Sequence, residues 1–85
     1  MAVTAARITA STAPVALNSA AGGGERLYVV NTGANPADLG PSNVAAGAGY
    51  LLGPNASASF ELDANDVLYA IRSGGTDAIL AVLRL

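Results

Sequence analysis

The sequence predicts an all-β fold: a small antiparallel β-sandwich or barrel of about six to eight short strands with an extended N-terminal segment. Residues 57–62 alternate strictly, with Ala58, Phe60 and Leu62 on one face and polar side chains on the other. Gly, Pro, Asn and Ser interrupt nearly every window of about ten residues, which leaves no room for a helix. Short apolar runs recur at spacings of about 8 to 12 residues, which is typical of sandwiches and small barrels.

Residues 1–24 carry the weakest strand pattern. Two short extended segments are predicted, at 3–10 and 14–18, followed by a loop with three consecutive glycines at 22–24. Burying a large apolar side chain contributes about 1.5–3 kcal/mol, while ordering each residue costs about 1–2 kcal/mol, so this segment cannot order alone. Two alternatives remain. We predict an arm with a Gly-rich hinge, so that deleting residues 1–21 leaves the sandwich of residues 25–85 folded but weakens its association with partners. The alternative is that residues 1–24 are edge strands of that sandwich, in which case the shortened chain should be unfolded or aggregated.

The remaining residues, 25–85, show clearer strands separated by Gly, Pro and Asn turns. Strands are predicted at 25–31, 37–39, 50–52, 57–62, 67–72 and 78–85, with a further brief segment at 42–45. Short turns join the last three strands. Because such turns connect antiparallel neighbours, we predict that these three strands form a meander.

Composition excludes several classes of function. The 85 residues make one domain at most, with no Cys, no His and no Lys, and only 4 Arg against 6 acidic residues. A nucleic-acid-binding surface needs a basic patch, which this chain does not have. No segment has the pattern of a secretory signal or a membrane span. Charged residues are only 12%, so either the protein is prone to non-specific association or much of its surface is covered by a partner.

The sequence offers little chemistry for catalysis or metal binding. Without His, Cys or Lys, no Ser or Thr has an activating base, so we expect no catalytic residue, no cofactor and no enzymatic activity. Residues 61–66 could be imagined as a calcium loop, but the loop glycine and distal Glu of an EF-hand are missing, and a turn is favoured. The three tyrosines, Tyr28, Tyr50 and Tyr69, are suited to sugar stacking or, more ordinarily, to a core or interface.

Residues 67–71 and 79–83 are apolar on both faces. A strand with one face in water should alternate, so the second face needs cover. Either a subunit interface covers it, or both faces are wrapped within one tightly packed chain. We predict an interface with another subunit or a larger partner, formed by Val3, Arg7, Ile8, Tyr28, Tyr69, Ile71, Leu80, Val82 and Arg84.

The stretch from residue 25 to 85 resembles the small capsid decoration (cement) proteins of tailed bacteriophages. The resembling segments are RLYVVNTG at 26–33, GYLL at 49–52, SASFE at 57–61 and LDANDVLYA at 62–70. The resemblance as a whole extends over about two-thirds of the chain. The resemblance implies a homotrimer on the outer surface of an icosahedral shell, bound to the major capsid protein at capsomer junctions. It implies no catalytic residues.

The predicted function is therefore that of a non-enzymatic virion protein, made in the host cytoplasm and bound to the capsid surface. Similar strand patterns occur in small β-sandwich domains of phage fibres and tails. The alternative is accordingly a receptor- or glycan-binding tip domain, whose expected mark is a cluster of exposed aromatic side chains. No nucleic acid and no membrane are expected as partners.

Overall fold

The computed structural model describes residues 4–18 and 25–85, and within them it contains eight β-strands and no helix. The strands are β1 (Thr4–Ala10), β2 (Val15–Ala16), β3 (Glu25–Asn31), β4 (Ala37–Gly40), β5 (Tyr50–Leu52), β6 (Ser57–Leu62), β7 (Tyr69–Arg72) and β8 (Ala78–Arg84). The predicted all-β class is thereby confirmed. No helix in the described ranges is long and apolar enough to cross a membrane.

Two antiparallel four-stranded sheets form a sandwich. Sheet A has the order β1-β8-β3-β6, and sheet B has the order β2-β7-β4-β5. Each β-strand of sheet A thus has a counterpart at the same position in sheet B, with β1 and β2 at one edge and β6 and β5 at the other. The predicted sandwich is confirmed, and the observed strand number agrees with the expectation.

The core lies between the inner faces of the two sheets, where alternating side chains meet. In β3 the inward residues are Leu27, Val29 and Asn31, and in β8 they are Leu80 and Val82. Sheet B contributes Ala37 and Leu39 from β4, Leu52 from β5 and Ala70 from β7. The alternation predicted for residues 57–62 is confirmed, because Ala58, Phe60 and Leu62 pack against this core.

The predicted meander of the last three strands is wrong. β6 pairs with β3, β7 lies in sheet B, and β8 lies in sheet A between β1 and β3. Each short connection carries the chain from one sheet to the other. A short turn is therefore equally compatible with crossing the sandwich, and the turn residues alone do not distinguish the two.

Residues 4–18 supply an edge strand to each sheet of the same molecule. β1 pairs with β8 from Thr4↔Arg84 to Ala10↔Ala78, and β2 pairs with β7. Ala10 and Leu17 are buried in the core. Backbone pairing thus supplies the order that their few apolar side chains could not supply alone.

The loop 41–49 covers the outer face of sheet B. In this loop, the backbone N–H of Gly47 donates a hydrogen bond to the buried carboxylate of Asp38. Val44 of the loop is also buried, with 7% of its surface exposed. Ile71, which neighbours Asp38 on the same face, is buried as well. The brief strand predicted at 42–45 is wrong, because this segment forms turns that return over the sheet.

Asn31 joins the two sheets at one end of the sandwich. Its fully buried side-chain amide donates to the carbonyl oxygens of Leu52 at 3.0 Å and Asn35 at 2.7 Å. Its Oδ1 accepts from the backbone N–H of Gly33 at 3.0 Å. One side chain of β3 is therefore bonded to β5 of the opposite sheet and to the turn that follows β3.

Candidate interaction surfaces

The outer face of sheet A is an exposed apolar surface. Tyr28, Val30 and Ile79 are exposed at 38%, 37% and 42%, and Ala81 and Leu83 lie half-exposed between them. These side chains are neighbours in register, because Tyr28 lies opposite Leu83 and Val30 opposite Ala81. A shallow apolar groove of about 460 Å³ crosses this face between β1 and β3. We call this surface the outer face, and nothing in the described chain covers it.

The charged side chains of the outer face stand at its edges. On β6, Glu61 accepts a 2.8 Å hydrogen bond from Arg26 and remains 78% exposed. The Tyr28 hydroxyl and then the Glu61 carboxylate raise the pKa of Arg26 above its ordinary value, since both hydrogen bonds favour the charged guanidinium. On β1, at the opposite edge, Arg7 has no ion-pair partner among the described residues.

A second exposed apolar surface lies at the β5 edge of sheet B. Tyr50 and Leu51 are exposed at 61% and 60%, the largest values among the large apolar side chains of the described residues. The Tyr50 ring meets Phe60 of β6 edge-on, with centroids 6.1 Å apart. This contact closes the β5/β6 edge of the sandwich, while Leu51 points away from the core. We call this pair the β5 edge.

The residues predicted from sequence as an interface are dispersed over the molecule. Arg7 and Tyr28 lie on the outer face, and Tyr69 is half-buried in sheet B. Val3 lies outside the described residues. Leu80 and Val82 are buried in the core, and Ile8 is half-buried against it. Ile71 is buried on the outer face of sheet B, and Arg84 donates to Glu25 at 3.0 Å.

The side chains of β8 that reach the surface are not the ones predicted. Leu80 and Val82 point into the core, so Ile79, Ala81 and Leu83 are the side chains that reach the outer face. Both sets are apolar, and alternation alone could not separate them. Val30 and Leu51 were also missed. Val30 could have been predicted, because it lies two residues from Tyr28 in β3 and therefore on the same face.

The two strands that are apolar on both faces have different surroundings. The second face of β7 is covered by the chain itself around Ile71 and Asp38. The second face of β8 remains exposed at Ile79. Only β8 therefore presents the open apolar face that a partner could cover.

Polar clusters in the described residues have structural roles. Glu25 accepts from Asn18 at 2.6 Å and from Arg84, and Asn18 in turn accepts from the backbone of Leu68 at 2.8 Å. In the turn at 63–66, the Asp66 carboxylate accepts from the backbone of Asp63 at 3.2 Å, as expected for a turn. No three acidic side chains of residues 4–18 and 25–85 come together as a metal site.

Comparison of the chain with protein-family models, with curated proteins and with solved structures gives no significant match.

Proposed function

We propose that this protein is a non-enzymatic structural component of a tailed-phage virion, a decoration protein that binds the outer surface of the capsid and reinforces capsomer junctions. The observation that carries the proposal is the presence of two separate apolar surfaces, the outer face and the β5 edge, on one small sandwich. A protein that links subunits needs at least two such surfaces. The resemblance of residues 25–85 to decoration proteins supplies the identity of the assembly.

In this proposal the two surfaces have different partners. The outer face mediates self-association, for which the resemblance implies a trimer, and the β5 edge contacts the major capsid protein. Tyr50 and Leu51 are exposed on opposite sides of a short edge strand, so a partner that encloses this edge can contact both. Burial of each such side chain is worth about 1.5–3 kcal/mol, which is weak for a single copy. Many linked copies on a shell multiply this weak contact by raising its effective concentration.

The test uses empty shells assembled from the major capsid protein of the phage that encodes this chain. The purified chain should co-sediment with the shells. The Leu51→Ser variant should lose shell binding and keep self-association, whereas the matched Ile79→Ser variant should keep a direct shell contact and lose self-association. Absence of co-sedimentation by the unaltered chain at saturating concentration would contradict the proposal.

One observation favours the alternative, a glycan-binding tip domain of a phage fibre. Tyr50 is a highly exposed aromatic side chain, held by its edge-on contact with Phe60. Aromatic rings of this kind can stack on sugars. Binding to a glycan array that is lost in Tyr50→Ala and kept in the matched Tyr28→Ala variant would favour this alternative. A fibre or tail-tip gene beside this one would also favour it, whereas a neighbouring major capsid gene would favour decoration.

A further inference from the structure

The charges at the edges of the outer face form a self-complementary pattern. Arg7 lies on β1 at one edge and Glu61 lies on β6 at the other, with the apolar side chains of β8 and β3 between them. The register places Arg7 in the same row as Ala81, Val30 and Ser57. Glu61 lies four residues along β6 from Ser57, which is two rows away on this face.

We propose that two copies of this chain pack their outer faces together about a two-fold axis, with Arg7 of each copy against Glu61 of the other. From ordinary strand spacing, Arg7 and Glu61 are separated by about 14 Å across the strands and about 13 Å along them. The midpoint of this diagonal lies between Tyr28 and Leu83, at the centre of the apolar surface. The two-fold axis passes through this midpoint, lies in the plane of the interface and is perpendicular to the diagonal. Rotation about it places Arg7 of each copy opposite Glu61 of the other.

The resulting geometry is an established kind of sheet packing. Because the two separations are nearly equal, the axis runs at about 45° to the strands, and the strands of the two copies cross at near right angles. Such a contact is isologous, so both charge pairs form at once and the assembly closes as a dimer. The interface would be dry at its centre, where Tyr28 and Leu83 meet their counterparts, and charged at two corners.

Electrostatics selects this arrangement among the possible face-to-face packings. Burying Arg7 against a second apolar face without a carboxylate would be unfavourable. Glu61 uses Oε1 to accept from Arg26 and stays largely exposed, so it can accept from a second guanidinium. Four strands of about seven residues give a projected face of about 19 by 23 Å, which is small for a specific interface. The dimer should therefore be concentration-dependent.

This inference rests on the self-association part of the proposed function and assigns to the outer face a two-fold dimer in place of the trimer that the resemblance implies. The experiments use the purified chain alone, so their failure would leave capsid binding separately testable. Sedimentation velocity from micromolar to millimolar concentration should show a monomer–dimer equilibrium. Arg7→Glu and Glu61→Arg should each weaken it about tenfold or more, and the double variant should recover most of the loss. Ser42→Arg, which adds a guanidinium to the exposed loop over sheet B, far from this face, should have no effect.

Cross-linking tests the axis itself, because the chain has no cysteine of its own. The four corners of the face are nearly a square, so the axis passes close to Ser57. In Ser57→Cys the Cα atoms of the two copies should lie about 10 Å apart, the spacing of packed sheets. That separation is too wide for a disulfide and suits a short bismaleimide. In the control Thr9→Cys, on the same face but far from the axis, the thiols should lie about 30 Å apart.

Cross-linking of Ser57→Cys and not of Thr9→Cys is the expected result. A monomer throughout the concentration range, a trimer, or efficient cross-linking of Thr9→Cys would each overturn the two-fold arrangement. Loss of association in both charge variants without recovery in the double variant would overturn the Arg7–Glu61 pairing.

Discussion

Replacing Asn31 with Ala should destabilise the sandwich by about 3 kcal/mol. The side chain makes three hydrogen bonds, to Leu52, Asn35 and Gly33, and each is worth about 1 kcal/mol net. For a domain of this size, such a loss lowers the melting temperature by about 12–24 °C. The measurement is urea unfolding followed by far-UV circular dichroism, with a lower midpoint and an unchanged slope. Asn35→Ala, which removes one exposed side-chain bond at 3.0 Å, is the control and should cost less than about 1 kcal/mol.

The Asn31→Asp variant tests the same hydrogen bonds through the pH dependence of stability. An introduced carboxylate would place an oxygen against two carbonyl oxygens, whereas the protonated carboxyl can still donate one hydrogen bond. Folding therefore raises the pKa of the introduced group above its unfolded value of about 3.9. Relative to the unaltered chain, the free energy of unfolding of Asn31→Asp should be highest below about pH 3.9. It should fall as the pH rises through the pKa of the carboxyl group in the folded state. If Asn31→Ala lowered the free energy of unfolding by less than about 1 kcal/mol, or by as much as Asn35→Ala does, the role assigned to the Asn31 hydrogen bonds would be refuted.

Three further predictions concern packing. Gly49→Ala should lower the unfolding midpoint, because a methyl group there would meet a β4 carbonyl oxygen at 2.7 Å, while Gly53→Ala, with open space around it, should not. Leu80→Ala, in the core, should cost about 2–5 kcal/mol in urea unfolding, whereas Ile79→Ala, on the outer face, should cost much less and mainly weaken self-association. Deleting residues 1–21 should give an unfolded or aggregated product by circular dichroism and light scattering, because β1 and β2 contribute to both sheets and to the core. A cooperatively folded, soluble product would contradict this.

The strands were largely predictable from local sequence, and their arrangement was not. The bounds of β3, β5 and β6 agree with the prediction, because alternation or a compact apolar run flanked by turn residues marks each of them. Topology depends on which sheet each strand joins. A short turn between β6 and β7 is compatible with a hairpin or with a crossing between sheets, and only tertiary packing decides between them.

The candidate surfaces were only partly predictable for a related reason. Tyr28 and Arg7 were found, but the five apolar residues of 79–83 hide the phase of β8, so Leu80 and Val82 were chosen where Ile79 and Leu83 reach the surface. Ile71 likewise could not be assigned without the loop 41–49, which covers that side of sheet B. Local patterns indicate which strands are apolar, while contacts distant in sequence determine which side is left open.

The positions of β7 and β8 have a consequence for how the chain folds. These two strands come last along the sequence, yet β8 separates β1 from β3 and β7 separates β2 from β4. During synthesis, neither N-terminal strand has a neighbour to pair with until the final two strands have left the ribosome. The two sheets can therefore be completed only after β7 and β8 have been synthesised, and the refolding time should lie in the range of roughly milliseconds to seconds that is typical of domains rich in distant strand pairings. Until then, β1 and β3 are open edges on which a nascent chain can misassemble with its neighbours.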